Sequence, residues 1–146
     1  MNMITRRDIA VAAAAILLTL SVIGRAEQKQ PVQGSAVFDW NSIPAKPTES
    51  GSVRLFFRGP TATLDSLDIH VTTVDPGKAP HPPHRHLNEE LVIIKEGTLE
   101  FLENGEWKRA GPGSVLFIAL NDFHGIRNPG PGTVTYHVIG WISHQS

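Results

Sequence analysis

The chain has 146 residues, of which 40% are apolar and 18% are charged, so its length and composition are those of one globular domain. Its formal net charge is −1, which gives no indication of a nucleic-acid or anionic-membrane partner. Because there is no cysteine, disulfides, thiolate nucleophiles and cysteine-ligated zinc are excluded, and any metal must be bound by histidine and carboxylate.

The first 26 residues are typical of an export signal. A basic start at residues 1–7 precedes an apolar run at residues 9–23 and a small-x-small site that ends at Ala26. This order predicts an N-terminal signal helix that is cleaved after Ala26. The segment Thr5-Arg6-Arg7-Asp8-Ile9 resembles a twin-arginine signal, although Ala10 stands where a bulkier apolar residue is usual.

An ordinary secretory signal and an uncleaved membrane anchor are the alternatives for this segment. Its apolar run is shorter than the roughly 20 residues that span a bilayer, which argues against an anchor and against stable membrane insertion after cleavage. All three interpretations place the following domain outside the cytoplasm, so we expect a periplasmic or secreted protein. Residues 27–36 are polar and predict a flexible leader to a domain at 37–146.

From Val37 onward the pattern predicts one short strand after another. In residues 66–74, apolar and polar side chains alternate with the period of two expected for a half-buried strand. The apolar set is Leu67, Ile69 and Val71, and the polar set is Asp68, His70 and Thr72. Further strands are expected at residues 53–58, 91–94, 98–102, 115–120 and 133–142.

Turn-forming residues separate these strands. Asp75-Pro76-Gly77 predicts a turn because proline fixes φ and glycine accepts a positive φ. Asn104-Gly105 is typical of a two-residue hairpin before Trp107. No segment after residue 26 has a sustained helical period. Seven or eight short strands at this spacing predict an all-β fold with a closed or double-sheet architecture.

The segment from His81 to Glu90 concentrates groups that bind metals. His84 and His86 are two residues apart, so on a strand they project from the same face and can bind one ion. Glu90 begins an apolar strand, where a carboxylate would otherwise be badly placed. Imidazole and carboxylate together suit Mn, Fe, Co, Ni, Cu or Zn, whereas calcium and magnesium prefer oxygen ligands. A solvated, polar strand end is the alternative interpretation.

This segment resembles the first motif of the cupins. The residues that match are Gly77, His84, His86, Glu90 and Gly97. They follow one another in the order found in the family, and the first glycine and the first histidine are one residue further apart than usual.

Residues 113–128 resemble the second cupin motif. The matching residues are Gly113, His124 and Asn128. The segment departs from the family pattern at Ala119, where cupins have proline, and at Asn121, where they have the turn glycine. Asparagine tolerates the left-handed backbone conformation that glycine would supply, so the turn is expected to form.

The resemblance covers roughly residues 67–142 and implies a single-domain cupin. Its fold would be a double-stranded β-helix, or jelly-roll barrel, that holds one divalent transition metal. The metal ligands that the resemblance implies are His84, His86, Glu90 and His124. Because cupins commonly pair through edge strands, it also points to a homodimer.

Four further residues are secondary candidates for the site. His137 and Tyr136 are the candidates for a general base. They lie on opposite faces of the last predicted strand, and alternation alone does not say which face lines the interior. His81 is expected at the rim or on the surface, with contact to the pocket as the alternative. His70 is expected in solvent, with a position at the barrel mouth as the alternative.

Three imidazoles and one carboxylate leave one or two coordination positions open for water, dioxygen or substrate. The resemblance therefore implies a metalloenzyme acting on a small molecule, either dioxygenase-like or a Lewis-acid lyase, isomerase or decarboxylase. The alternative is a non-catalytic binding module in which the metal holds a small ligand or stabilises the barrel, since one fold hosts many functions. An open site is a poor purely structural site, which favours an enzyme.

Overall fold

The structure, a computed structural model, describes residues 30–144. The predicted signal segment, residues 1–26, and residues 27–29 of the predicted leader lie outside this range. In the described part of the leader there is no helix or strand, and the Gln33 N–H donates to the Pro60 carbonyl at 3.0 Å. Among residues 30–144 we find no helix with the length and apolar character that a membrane crossing requires.

Strands dominate the described residues, which confirms the all-β prediction. Residues 30–144 contain nine strands: β1 Lys46–Thr48, β2 Gly51–Gly59, β3 Leu64–Val74, β4 Glu89–Glu96, β5 Leu99–Glu103, β6 Glu106–Ala110, β7 Val115–Ile118, β8 Gly125–Arg127 and β9 Val134–Ser143. The sequence predicts seven or eight strands. No separate prediction was made for β1 or β8. Each of these strands has three residues, and an alternating pattern cannot be recognised over so short a segment.

The segment before β1 differs from the prediction of strands from Val37 onward. It contains a 3₁₀ helix at Trp40–Ser42, and the first strand begins at Lys46. The Asp39 carboxylate accepts hydrogen bonds from the backbone N–H groups of Asn41 at 2.7 Å and Ser42 at 3.2 Å. Such local side-chain bonds stabilise a turn in competition with an extended chain.

Two antiparallel sheets form the barrel. The larger has the order β1-β2-β3-β9-β4-β7 and the smaller has the order β6-β5-β8. Residues with fully buried side chains fill the space between the sheets: Ile94, Leu99, Ile118, Val74, Val92 and Val134. The fold is therefore the jelly-roll barrel expected for a cupin.

The predicted turns form with the expected backbone geometry. Asn104 and Gly105 both have positive φ, 52° and 84°, and join β5 to β6 as a two-residue hairpin. At the other predicted turn, Gly77 has a φ of 73° and the Lys78 N–H donates to the Asp75 carbonyl at 3.1 Å. The Asn104-Gly105 turn thereby sets the register of β5 against β6.

The apolar face of β3 turns outward and its polar face turns inward. Ile69 pairs with Phe57 of β2, and Phe38 from the segment before β1 stacks on that Phe57 at 6.1 Å between ring centroids. The opposite face, with His70 and Thr72, lines an internal cavity. The segment before β1 therefore covers part of the outer surface. The inward face of β3 is polar at His70 and Thr72 and apolar at Val74.

Candidate metal centre

His84 and His86 lie on the connection between β3 and β4. The sequence places them on a strand, but the connection is irregular and only His84 makes a β-bridge, to His124. The bridge has two hydrogen bonds, from the His84 N–H to the His124 carbonyl at 2.9 Å and the reverse at 3.1 Å. Pro82 and Pro83 have no N–H, so the pairing cannot extend toward the N-terminus. The bridge still joins the two predicted motifs.

Three histidine rings converge at this bridge. The ring centroids are 5.3 Å apart for His84 and His86, 4.8 Å for His84 and His124, and 4.7 Å for His86 and His124. One nitrogen from each ring lies within 4.8 Å of the other two. His124 is buried and the other two side chains are half-buried. This spacing could hold one metal ion.

Backbone carbonyls orient two of the rings. The Nδ1 of His86 is 2.9 Å from the Asn88 carbonyl oxygen, and the Nδ1 of His124 is 2.9 Å from the Asp122 carbonyl oxygen. A proton on each Nδ1 leaves each Nε2 with a free lone pair, which is the usual arrangement of a metal-binding imidazole.

Two buried ring nitrogens have no hydrogen-bond partner among the described residues. They are Nδ1 of His84 and Nε2 of His86. Buried polar atoms are otherwise nearly always paired, so two orphans in one cluster require an explanation. A metal ion bound between the rings would satisfy them, and the donor set therefore fits a transition metal.

The protonation state of the cluster also suits a metal. Burial lowers the pKa of His84, and the neighbouring histidines lower it further, against a backbone hydrogen bond that raises it. Burial also lowers the pKa of His124, opposed by its bond to the Asp122 carbonyl. Neutral imidazoles are the form that binds metals, so the lowered pKa values of His84 and His124 favour metal binding.

Glu90 lies at the start of β4, beside the three histidines. Its Oε2 is 3.6 Å from Nε2 of His86, and its Oε1 accepts a hydrogen bond from the Asn88 amide at 3.1 Å. Gly140 of β9 lies opposite, where a Cβ atom would be 3.3 Å from Cγ of Glu90. The Glu90 carboxylate is therefore held next to the histidine cluster by a hydrogen bond from Asn88 and by close packing against Gly140.

A cavity of about 300 Å³ opens beside the cluster inside the barrel. The histidines and Glu90 form one wall. Hydroxyl-bearing residues contribute to the rest of the lining: Thr48, Ser50, Thr72 and Tyr136. The cavity therefore offers a small ligand both a metal site and several hydrogen-bond partners.

The two general-base candidates lie on opposite faces of β9. Tyr136 lines the cavity and is buried, together with Val134 and Val138 on the same face. Burial raises the pKa of the Tyr136 phenol, so the group is a hydrogen-bond donor at neutral pH and not a base. His137 faces the outside of the barrel and is not part of the cavity wall.

Two histidines that the sequence leaves outside the site contribute to the cavity wall. His70 lines it, and its Nδ1 is 2.7 Å from Oδ1 of Asp68, whose other oxygen accepts a hydrogen bond from Arg58. His81 also lines it, and its ring lies edge-on to His84 at 4.3 Å between centroids. The position of His70 on the polar face of β3 was the sequence signal that could have placed it at the cavity. For His81 there was no such signal, because the two prolines that follow it interrupt the alternation from which the direction of a side chain is read.

The comparisons with known proteins agree with this geometry. Residues 70–140 match the family model of the cupin domain. No curated protein is significantly similar to the chain in sequence. The matched region contains all four predicted metal ligands.

Several solved structures have a similar fold. The cupin domain of an XRE family transcriptional regulator from Enterobacter cloacae is 23% identical, with a TM-score of 0.53 over 64% of this chain and 96% of that one. The polyketide cyclase RemF from Streptomyces resistomycificus is 18% identical, with a TM-score of 0.59 over 78% and 83%. A predicted oxalate decarboxylase from Thermotoga maritima is 18% identical, with a TM-score of 0.58 over 73% and 99%.

The barrel has the cupin fold, and its residues 70–140 match the model of the cupin domain. The three structures above are only 18 to 23% identical to this chain, so the likeness concerns the fold, and the chemistry has to be argued from the site.

Proposed function

We propose that this chain is an exported, metal-dependent enzyme that acts on a small oxygen-bearing molecule. His84, His86 and His124 hold the ion, and Glu90 is the fourth ligand. One observation carries the proposal: three converging imidazoles, with two buried nitrogens that have no partner among the described residues, lie at the wall of a cavity of about 300 Å³.

The donor set restricts the metal to Mn, Fe, Co, Ni, Cu or Zn. When bound, such an ion acts as a Lewis acid that polarises a carbonyl or alkoxide oxygen of the substrate. His84, His86, Glu90 and His124 would leave a coordination position for that oxygen on an ion that binds five or six groups.

The cavity wall favours proton-transfer chemistry over a dioxygenase-like reaction. In the neutral tautomer whose Nδ1–H donates to Asp68, the Nε2 of His70 is the proton acceptor. Tyr136, kept protonated by burial, can donate a hydrogen bond to a substrate oxygen. An acceptor and a donor on one wall, facing a Lewis-acid site, suit an isomerase, lyase or decarboxylase.

The first experiment measures metal-dependent proton exchange. Metal-loaded protein is incubated in D₂O with pyruvate, oxaloacetate and dihydroxyacetone, and deuterium at the carbon next to the carbonyl is followed by NMR. We expect exchange that requires the metal and that falls at least tenfold in His70→Ala. Oxygen uptake with phenolic or diketone compounds would instead support a dioxygenase. Full metal occupancy without turnover in either assay would support the binding module.

The second experiment tests the metal ligands. We expect wild-type protein to contain about one metal ion per chain, and His84→Ala combined with His86→Ala to contain none, with the β signature in circular dichroism unchanged. Full metal retention in the double variant would contradict the ligand assignment.

The export proposal rests on residues 1–26 and is tested in cells. Replacing Arg6 and Arg7 with lysine should hold the protein in the cytoplasm if the twin-arginine route is used. Unchanged export of this variant would point to an ordinary secretory signal. Full-length protein in the cytoplasm of wild-type cells would contradict export altogether.

A further inference from the structure

A second cavity, of about 680 Å³, adjoins the metal cavity. The two share five lining residues: Thr48, Ser50, Pro80, His81 and Ile126. Because the shared residues form a common border, a ligand that reaches past His81 enters both spaces. We call the second cavity the vestibule.

The metal cavity alone is small for a substrate. Ligand sites in proteins usually measure about 300 to 1,000 Å³, and this one is at the lower limit of that range. It takes a head group with a few oxygen atoms. A longer molecule bound at the metal must extend into the vestibule.

An indole ring forms part of the vestibule wall and is held in place. The Arg127 guanidinium carbon lies 4.0 Å from the centroid of the Trp107 ring, and Nη2 of Arg127 is 2.7 Å from Oε2 of Glu100. The Trp107 residue nevertheless remains 36% exposed. A large aromatic surface that is already ordered loses little entropy when a ligand covers it.

The remaining vestibule wall is mostly apolar. Its apolar members include Ala79, Pro80, Pro82, Pro83 and Ile126. The charged groups on the wall, within residues 30–144, are Lys78, Glu49 and Arg127, and the Arg127 guanidinium is already paired with Glu100. Proline rings and an indole accept flat apolar groups, and the mixed charges give no site for a polyanion.

We infer that the vestibule binds the tail of the substrate, and that this tail is a planar apolar or aromatic group. The substrate class is then an elongated molecule with oxygen donors at one end, held at the metal, and a flat apolar body that lies against Trp107. This inference rests on the proposed function, because the metal anchors the head group.

Two hydroxamates that differ in their tails test this inference. Acetohydroxamate and 4-phenylbutanohydroxamate share the same chelating head, and their dissociation constants are measured calorimetrically on the metal-loaded protein. We expect the phenyl compound to bind at least tenfold tighter to wild type. In Trp107→Ala this advantage should fall to threefold or less, with acetohydroxamate affinity unchanged within twofold.

The control is Phe117→Ala, which removes an exposed aromatic ring that lines neither cavity. It should leave the tenfold advantage intact. If Trp107→Ala does not fold, the same measurements are made on Trp107→Leu, which keeps an apolar side chain at this position. In wild type, the Trp107 indole N–H resonance should shift with the phenyl compound and not with acetohydroxamate.

The possible failures are distinguishable. An equal phenyl advantage in wild type and in the Trp107 variants, or no advantage in wild type, would overturn the vestibule inference and leave the metal site standing. Absence of binding by either hydroxamate would overturn the proposed metal centre, and the vestibule inference with it.

Discussion

At the residue scale, the metal centre depends on groups that are not ligands themselves. The Asn88 backbone carbonyl fixes the ring of His86, and its side-chain amide donates to Glu90. One residue therefore orients two of the four proposed ligands. Such supporting contacts usually change metal affinity when they are removed, although the ligands stay in place.

We predict that Asn88→Ala weakens metal binding by about 10- to 100-fold, because the Glu90 carboxylate loses the amide that orients it. Competition with a chromophoric chelator measures the affinity. Asn41→Ala, which changes an exposed asparagine away from the site, is the matched control and should keep wild-type affinity. Equal affinities for the two variants would show that the amide has no orienting role.

Asn128 is a buried asparagine whose whole amide is used. Its Nδ2 donates to the carbonyls of Val74 at 2.9 Å and Gly132 at 2.8 Å, and its Oδ1 accepts from the Gly130 N–H at 2.8 Å. These bonds tie the end of β3 to the loop before β9. The residue is part of the second cupin motif, and its role in this structure is to satisfy buried backbone groups.

We expect Asn128→Ala to lower the free energy of unfolding by about 2 to 4 kcal/mol, because three backbone groups lose their partner and some stay buried. Urea denaturation of the metal-free protein measures this change. A loss below about 0.5 kcal/mol, the range of ordinary surface substitutions, would mean that water replaces the amide without penalty.

At the element scale, a tight turn after β7 places one of the histidine segments. The Asp122 N–H donates to the Ala119 carbonyl at 3.1 Å, and Asn121 has a φ of 62°. The Asn121 N–H donates in turn to the His86 carbonyl at 2.9 Å. The expectation that asparagine replaces the family's glycine in this turn is confirmed by its left-handed conformation.

We predict that Asn121→Val costs about 1 to 2 kcal/mol of stability, since a β-branched residue is strained at positive φ, and that it also weakens metal binding. Asn121→Gly is the matched control and should fold and bind metal like wild type. Thermal unfolding with and without metal measures both effects. If valine and glycine behave alike, the turn does not position His86.

The sequence predicts the elements that carry their own local signal. The Asn104-Gly105 hairpin and the Gly77 turn form where the residues indicate, because positive φ is available to few residue types. The three histidines proposed as ligands come together, as the two motifs predict, because a bridge joins His84 to His124. The place of Glu90 as a ligand stays a prediction.

Other features depend on tertiary structure and leave no local signal. Alternation in β3 shows that one face is apolar, but that face is covered from outside by Phe38 and Phe57. For this reason His70 turns into the cavity, where the sequence places it in solvent. The irregular backbone at Pro82 and Pro83 likewise places the His81 ring against His84. This contact could not be predicted from the sequence, because the segment has no periodic pattern.

At the scale of the whole molecule, a half-buried histidine on the outer sheet face couples stability to pH. His137 pairs with Val71 and Ile93 on its neighbouring strands. Burial lowers the pKa of His137 below its ordinary value, and the positive charge of Lys95 lowers it further by a smaller amount. The unfolded chain therefore takes up a proton at higher pH than the folded chain does.

We predict that the metal-free protein loses stability as the pH falls from 7.5 to 5.5, and that His137→Gln loses less over the same interval. The sign follows because a lowered folded-state pKa gives stability that is present above the unfolded pKa and is lost below it. Urea denaturation at the two pH values measures the difference. Because His84 and His124 also contribute to the pH dependence of stability, part of it should remain in His137→Gln. If the free energy of unfolding changes with pH in the variant as it does in wild type, His137 does not contribute.

The same variant separates the general-base candidates. Because His137 faces away from the cavity, His137→Gln should retain full metal content and full deuterium exchange. His70→Ala should retain the metal and lose the exchange. The opposite result would move the proton acceptor to the outer face of β9, where no part of the described cavity lies.

The central claim is that one metal ion binds between the two cupin motifs inside the barrel. Anomalous diffraction at the absorption edge of the metal found in the native protein tests it most directly. We predict one peak per chain, at roughly 2.0 to 2.2 Å from nitrogens of His84, His86 and His124 and from an oxygen of Glu90. Crystals with stoichiometric metal whose anomalous peak lies away from these histidines would contradict the claim.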